Sequence, residues 1–199
     1  MEILTGILLG LSTLLFVGPV FFYLIQATLQ KGTYAGITAA LGIILGDILY
    51  VYFCLNGLEN YLNKPGHIKA IAVTGGLLLL LLGLENFFRK PKANSNLTKS
   101  LNKSLVAIFF RAFVLNFVNP FVFVVWVGFL TYSETKFSTQ ATPLILVFTL
   151  AVIFITDIIK VFLAKKLSYF FNTERLLLFR KFTGILMIIF AVKLFWTAI

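Results

Sequence analysis

Apolar residues run through the chain in six long blocks, at about 3–29, 34–58, 68–88, 105–131, 143–164 and 183–198. Most reach the ~20 apolar residues that a helix needs to cross a bilayer. The connectors are short and polar. Gln30-Lys31-Gly32-Thr33 is a tight turn, and Asn63-Lys64-Pro65-Gly66 is a turn signal. Residues 89–104 form the longest polar stretch, and 132–142 lead to Pro143 at a natural first-turn position. Before the last block, Asn172-Thr173 resembles a cap leading into Glu174–Lys181. That segment reads either as an interfacial lead-in or as a plain extension of the last helix. The pattern predicts an all-α integral membrane protein with six transmembrane helices.

Two blocks are interrupted. Phe16-Val17-Gly18-Pro19 falls inside the first and Val118-Asn119-Pro120 inside the fourth. Proline has no amide hydrogen to give and crowds the carbonyl four residues earlier. Glycine beside it adds freedom. Irregular backbone survives in a membrane only where protein or water covers it. The first reading is therefore a pair of discontinuous helices lining an intramembrane site, the second a pair of simple proline kinks. On the first reading, the restarts at Pro19 and Pro120 present amide donors and a positive dipole end to an anionic group.

The interruptions belong to an internal repeat. Leu14 to Phe22 lies over Leu115 to Phe123, Gly46-Asp47 over Thr156-Asp157, and Gly76 to Phe88 over Gly184 to Trp196. The repeat has three spans, so its second copy crosses the membrane in the opposite sense. Such inverted repeats place transporter sites near the midplane. Asp47 lies 13 residues past Tyr34 and Asp157 lies 14 past Pro143. At ~1.5 Å per residue both reach ~20 Å depth, from opposite faces.

Composition agrees with the blocks. Of 199 residues, 60% are hydrophobic and 12% charged, against ~45–50% and ~25% for a soluble domain. The expectation is one polytopic domain over 1–199: repeat 1 about 1–88, a basic cytoplasmic loop 89–104, and repeat 2 about 105–199. Met1-Glu2 offers no basic n-region, and the first block exceeds a signal peptide's, so the first span should remain in the mature protein. The net charge of +10 sits in connectors, which points to cytoplasmic loops and not to nucleic acid. Lys31, Arg89, Lys90, Lys92, Lys99, Lys103, Lys165, Lys166, Arg175, Arg180 and Lys181 lie on one side, against Lys64, Lys69 and Lys136 on the other. Both termini are then expected on the non-cytoplasmic side of a cell (inner) membrane. One cysteine, Cys54, and one histidine, His67 in a connector, leave no disulfide, soft-ligand metal site or cofactor site to expect.

Few residues could carry chemistry. A mid-membrane carboxylate costs at least ~2.5–3.5 kcal/mol on insertion scales and should face a cavity. Asp47 and Asp157 could there bind an ammonium or carry a proton. Asp157 has a second reading, since Lys160 stands three residues on and can pair with it; Lys160 thereby joins the proton-coupling candidates. Asn116 and Asn119 flank the second interruption and could cap backbone or touch a ligand, with structural glue the competing role. Glu85, Lys193 and Arg111 read mainly as snorkelling side chains near span ends. Gly36, Gly42 and Gly46 stud the second span, and Gly42/Gly46 form a GxxxG. Close approach to the broken first span is the first role, a homodimer seam the second.

Gly18-Pro19, Gly32, Gly36, Gly42, Gly46-Asp47 and Tyr50, with Asn119-Pro120 at the second interruption, make the chain resemble the lysine exporter (LysE/RhtB) family over essentially its whole length. The resemblance implies a bacterial inner-membrane exporter of amino acids or related small solutes, coupled to the proton gradient. Val17, Phe121 and Thr33-Tyr34 depart from the family's usual Pro-Gly-Pro, basic and Arg positions, which bears on substrate more than on fold. The expected substrate-binding set is Gly18, Pro19, Asp47, Asn116, Asn119, Pro120 and Asp157. The competing function is export of an inorganic cation through the same site, where carboxylates and Asn carbonyls offer few ligands. An enzyme would need a nucleophile–base set or a Cys pair, and an ATP-driven pump a nucleotide motif; the sequence has neither.

Overall fold

Helices follow the apolar blocks and stop where the sequence removes a donor or supplies a turn. The computed structural model describes residues 1–16, 18–56, 67–88, 97–167 and 173–198. In chain order these form α1 (Glu2–Ser12), a 3₁₀ turn (Thr13–Leu15), α2 (Pro19–Lys31), α3 (Thr33–Leu55), α4 (His67–Phe88), α5 (Leu97–Phe117), α6 (Pro120–Lys136), α7 (Thr142–Leu167) and α8 (Thr173–Ala198). Pro19 and Pro120 each stand at the first turn of their helix, where the missing N–H costs nothing and φ is already helical. Gly32 has φ 89°, the left-handed conformation that lets α2 turn at once into α3.

Both interruptions bend the chain. The two halves of the first block, α1 and α2, meet at 77°, and those of the fourth, α5 and α6, at 60°. By length and composition α3 and α7 can each cross a membrane, and the number rises to four if each bent pair is one span. The apolar part of α4, Val73–Phe88, is shorter, and α8 carries Glu174, Arg175, Arg180 and Lys181 in its first half.

Several boundaries differ from those the hydrophobic pattern suggests. His67 opens α4 instead of lying in a connector, and α5 begins at Leu97, inside the basic stretch. Nothing in Leu97–Lys103 breaks a helix, so polar residues extend it. α6 likewise runs to Lys136, and α8 is one helix from Thr173. Glu174–Lys181 is thus an extension of the last helix and not a separate interfacial segment. The turn at Asn63–Gly66, the first half of the polar stretch (89–96) and the cap at Asn172 lie outside the described residues.

Packing pairs α4 with α8, α3 with α5 and α1 with α7, while α2 touches α3, α7 and α8. Glycines set these approaches. A β-carbon at Gly10 would meet Val152 at 2.6 Å, and one at Gly83 the Gly184 carbonyl at 2.9 Å. Gly36 faces Thr28 and Val161, as close approach to the first span requires, but Gly42 and Gly46 face α5. The GxxxG therefore serves the broken fourth span, and its burial there removes it as a dimer seam. Two apolar clusters result: one of small residues and aliphatics around Leu24, Ala39, Ala112 and Met187, the other around Tyr50, Trp126, Phe129 and Leu146.

Polar bonds cross the first cluster. Gln26 and Asn86 exchange amide hydrogen bonds of 3.0 and 3.2 Å. Arg111 and Glu85 form an ion pair at 2.9 Å, so these two side chains join α5 to α4 instead of snorkelling separately. With 38% and 36% of each side chain exposed, the pair contributes at most ~1 kcal/mol. A double-mutant cycle of Arg111→Gln and Glu85→Gln, read by thermal unfolding in detergent, should return a coupling of that size. A coupling above ~3 kcal/mol would place the pair in a water-free setting.

Candidate functional site

The site forms where the two bends meet the middle of α3 and α7. Asp47 is 4% exposed and Asp157 6%. Asp47 accepts hydrogen bonds on Oδ1 from Asn116 Nδ2 at 2.9 Å and Trp126 Nε1 at 2.8 Å. Asn116 also donates to the Ile43 carbonyl at 2.9 Å. Gly46 permits this: a β-carbon there would come within 2.9 Å of the Asn116 amide nitrogen. Tyr50, about one turn on, donates to the Phe117 carbonyl at the second bend. Asp157 pairs with Lys160 at 2.8 Å along one face of α7, and the Lys160 ammonium sits 5.9 Å from the Phe21 ring centre.

The two helix restarts differ. Asn119 caps α6, its Oδ1 accepting from the Phe121 amide at 3.1 Å. Gly18 precedes α2, whose first turn has no side-chain cap. The positive end of α2 is thus available to an anion in a way that the start of α6 is not.

Between these groups lies a cavity of about 100 Å³. A single water needs ~10–15 Å³ on this measure, so the space suits several waters or one small organic molecule. Gly18, Asp47, Asn116, Asn119, Asp157 and Lys160 all line it, beside apolar walls that include Ile43, Val122, Val125 and Ile153. Pro19 is buried beside the cavity and shapes the bend without lining it. The side chain of Pro120 lies outside the described residues. Among the described residues no cluster of three His, Cys, Asp or Glu could hold a metal.

Sequence reasoning missed Trp126, which is 2% exposed and supplies one of Asp47's two donors. A usable signal existed. A buried indole N–H needs an acceptor and a buried carboxylate needs donors, and the hydroxyls beside the first break, Ser12 and Thr13, are spent on carbonyls of α1.

The site is thus a cavity between two bent apolar helix pairs, lined by Asp47, Asp157 and Lys160 among apolar walls. The LysE type translocator family matches residues 11–197, and the chain belongs to that family. The leucine efflux protein of Salmonella typhimurium is 23% identical over 113 residues, covering 56% of this chain and 53% of that protein. Protein TIC 214 of Jasminum nudiflorum is 26% identical over 125 residues, covering 60% of this chain and 6% of that protein. The chain thus spans about half the length of the leucine efflux protein and a small part of TIC 214. No solved structure matches the chain.

Proposed function

We propose that this protein exports an amino acid or a related small zwitterionic solute from the cytoplasm, coupled to the proton gradient. The observation that carries the proposal is one cavity shared by Asp47, the Asp157–Lys160 pair and the uncapped start of α2. A zwitterion needs both signs of partner a few ångströms apart. Here the first turn of α2 takes the substrate carboxylate and Asp47 takes the ammonium, while the apolar walls receive an aliphatic side chain. The name of the leucine efflux relative fits such walls. Asp47, Asp157 and Lys160 are the groups that exchange protons with the substrate's passage.

In this proposal the chain crosses the inner membrane six times as two inverted three-helix repeats, with both termini on the non-cytoplasmic side, and works by alternating access. Paired contacts support the repeat. The α3–α5 packing has its counterpart in α7–α1. A β-carbon at Gly76 would meet the Phe195 ring at 2.8 Å, and one at the equivalent Gly184 the amide of the equivalent Phe87 at 3.1 Å.

The test is efflux from cells or vesicles loaded with a panel of amino acids and divalent cations, with and without a proton gradient. Faster loss of a neutral amino acid than from empty controls, diminished by collapsing the gradient, is the expected result. Efflux of a cation alone would replace the substrate, and no accelerated efflux of amino acids would end the proposal.

A further inference from the structure

Asp47 is fastened on one oxygen only. Oδ1 accepts from both Asn116 and Trp126, and no hydrogen bond among the described residues reaches Oδ2. No fully buried side-chain oxygen or nitrogen among those residues lacks a partner, so Oδ2 opens on the cavity that Asp47 lines. The two donors belong to different helices. Asn116 stands in the last turn of α5 and Trp126 in α6, the two halves of a block bent by 60°. A single carboxylate oxygen on α3 therefore ties both sides of the bend together. Among the described residues the first bend has no such tie: the repeat places Leu15 over Asn116 and Ile25 over Trp126, and neither side chain can donate.

We propose that Trp126 is a positioning residue that reads the charge on Asp47 and passes it to the bend between α5 and α6. Hydrogen bonds to an ionised carboxylate are roughly twice as strong as those to a neutral acid. A proton on Oδ2 leaves Oδ1 as the oxygen of a neutral acid, so both ties weaken together and α6 is released from α5. An ammonium on Oδ2 leaves the carboxylate ionised and the ties intact. The two occupants of one oxygen thus set the bend differently. The identity of that ammonium rests on the proposed function; the tie and its response to a proton do not.

Other charged groups near Asp47 are few. α7 brings Asp157 and Lys160 to the same cavity. α5 carries Arg111, which is engaged by Glu85 of α4, and α6 brings no charged group to the cavity. The titratable Tyr50 on α3 donates to backbone, and Tyr23 stands on α2 within the neighbouring apolar cluster.

The chain has two tryptophans, and Trp196 is 80% exposed, so Trp196→Phe leaves Trp126 as the sole indole. In this purified variant Trp126 emission should change across a pH titration. The change should vanish with Asp47→Asn and persist with Asp157→Asn. Emission that ignores pH, or a response that survives Asp47→Asn, overturns the proposal. A second arm uses Trp126→Phe, which keeps an aromatic side chain and removes the donor together with the pyrrole half of the indole. For any solute the chain exports, KM should rise about tenfold, the effect of losing one hydrogen bond to a charged group, and the pH profile of efflux should move. Unchanged KM and pH profile with reduced abundance would make Trp126 merely structural. The fluorescence arm needs no substrate, so it decides the tie even if no amino acid is exported.

Discussion

Asp47→Asn is expected to abolish export while leaving the protein in the membrane at wild-type abundance. Asparagine has nearly the shape of aspartate, and its side-chain oxygen can still accept from Asn116 and Trp126. What it loses is the charge on the oxygen that faces the cavity. The ties across the second bend weaken but do not become clashes, so folding should survive. For the substrate the loss is larger, because removing one partner of a buried, hydrogen-bonded charge pair costs ~2–5 kcal/mol. The proton loses its acceptor at the same atom. Efflux of the identified substrate, normalised to membrane abundance by immunoblot, measures the outcome. Wild-type efflux would reduce Asp47 to a structural role and move the cation half of the site to Asp157. That residue is the less promising partner, because Lys160 already occupies it at 2.8 Å.

The parts of this site that break a local rule were visible in the sequence. A proline or a carboxylate inside an apolar block is costly, so Pro19, Pro120, Asp47 and Asp157 stand out without any knowledge of packing. The Asp157–Lys160 pair was also visible as one of two readings, since three residues on a helix bring side chains together. Interactions between helices were not visible. Trp126 looks like any aromatic in an apolar run until α3 and α6 are placed side by side. Arg111 and Glu85 are 26 residues apart, and each alone reads as a snorkelling charge. The direction of Gly42 and Gly46 was missed for the same reason: GxxxG announces a close approach without naming the partner. Even the unequal capping of α2 and α6, Gly18 against Asn119, was written in the residues. Its consequence needed the geometry that puts both starts on one cavity.

That partner makes Gly42 the position where a small change should have the largest structural effect. A β-carbon there would overlap the Phe109 carbonyl oxygen, with the Phe113 amide nitrogen at 3.0 Å and Ala112 Cβ at 3.1 Å. Two of these are backbone atoms of α5 and cannot rotate away, so α3 and α5 would have to separate. Ala39 and Ala112, both fully buried, would lose their packing with them. Overpacking a well-filled interior costs ~1–3 kcal/mol or more, and a leucine adds three further carbons to the first. Gly42→Leu should therefore lose most of its folded protein, seen as low abundance in the membrane and a monodisperse fraction that collapses in detergent. Gly46→Ala should do something different. Its β-carbon meets the Asn116 side chain, which can shift, so the fold survives while Asp47 loses a donor and efflux falls. Gly18→Ala is the control, because φ there is −139° and a β-carbon meets nothing within 4 Å; its abundance and melting temperature should match the wild type. If Gly42→Leu also matches it, α3 and α5 do not approach as closely as the carboxylate tie requires, and the geometry around Asp47 would need to be rebuilt from that contact outward.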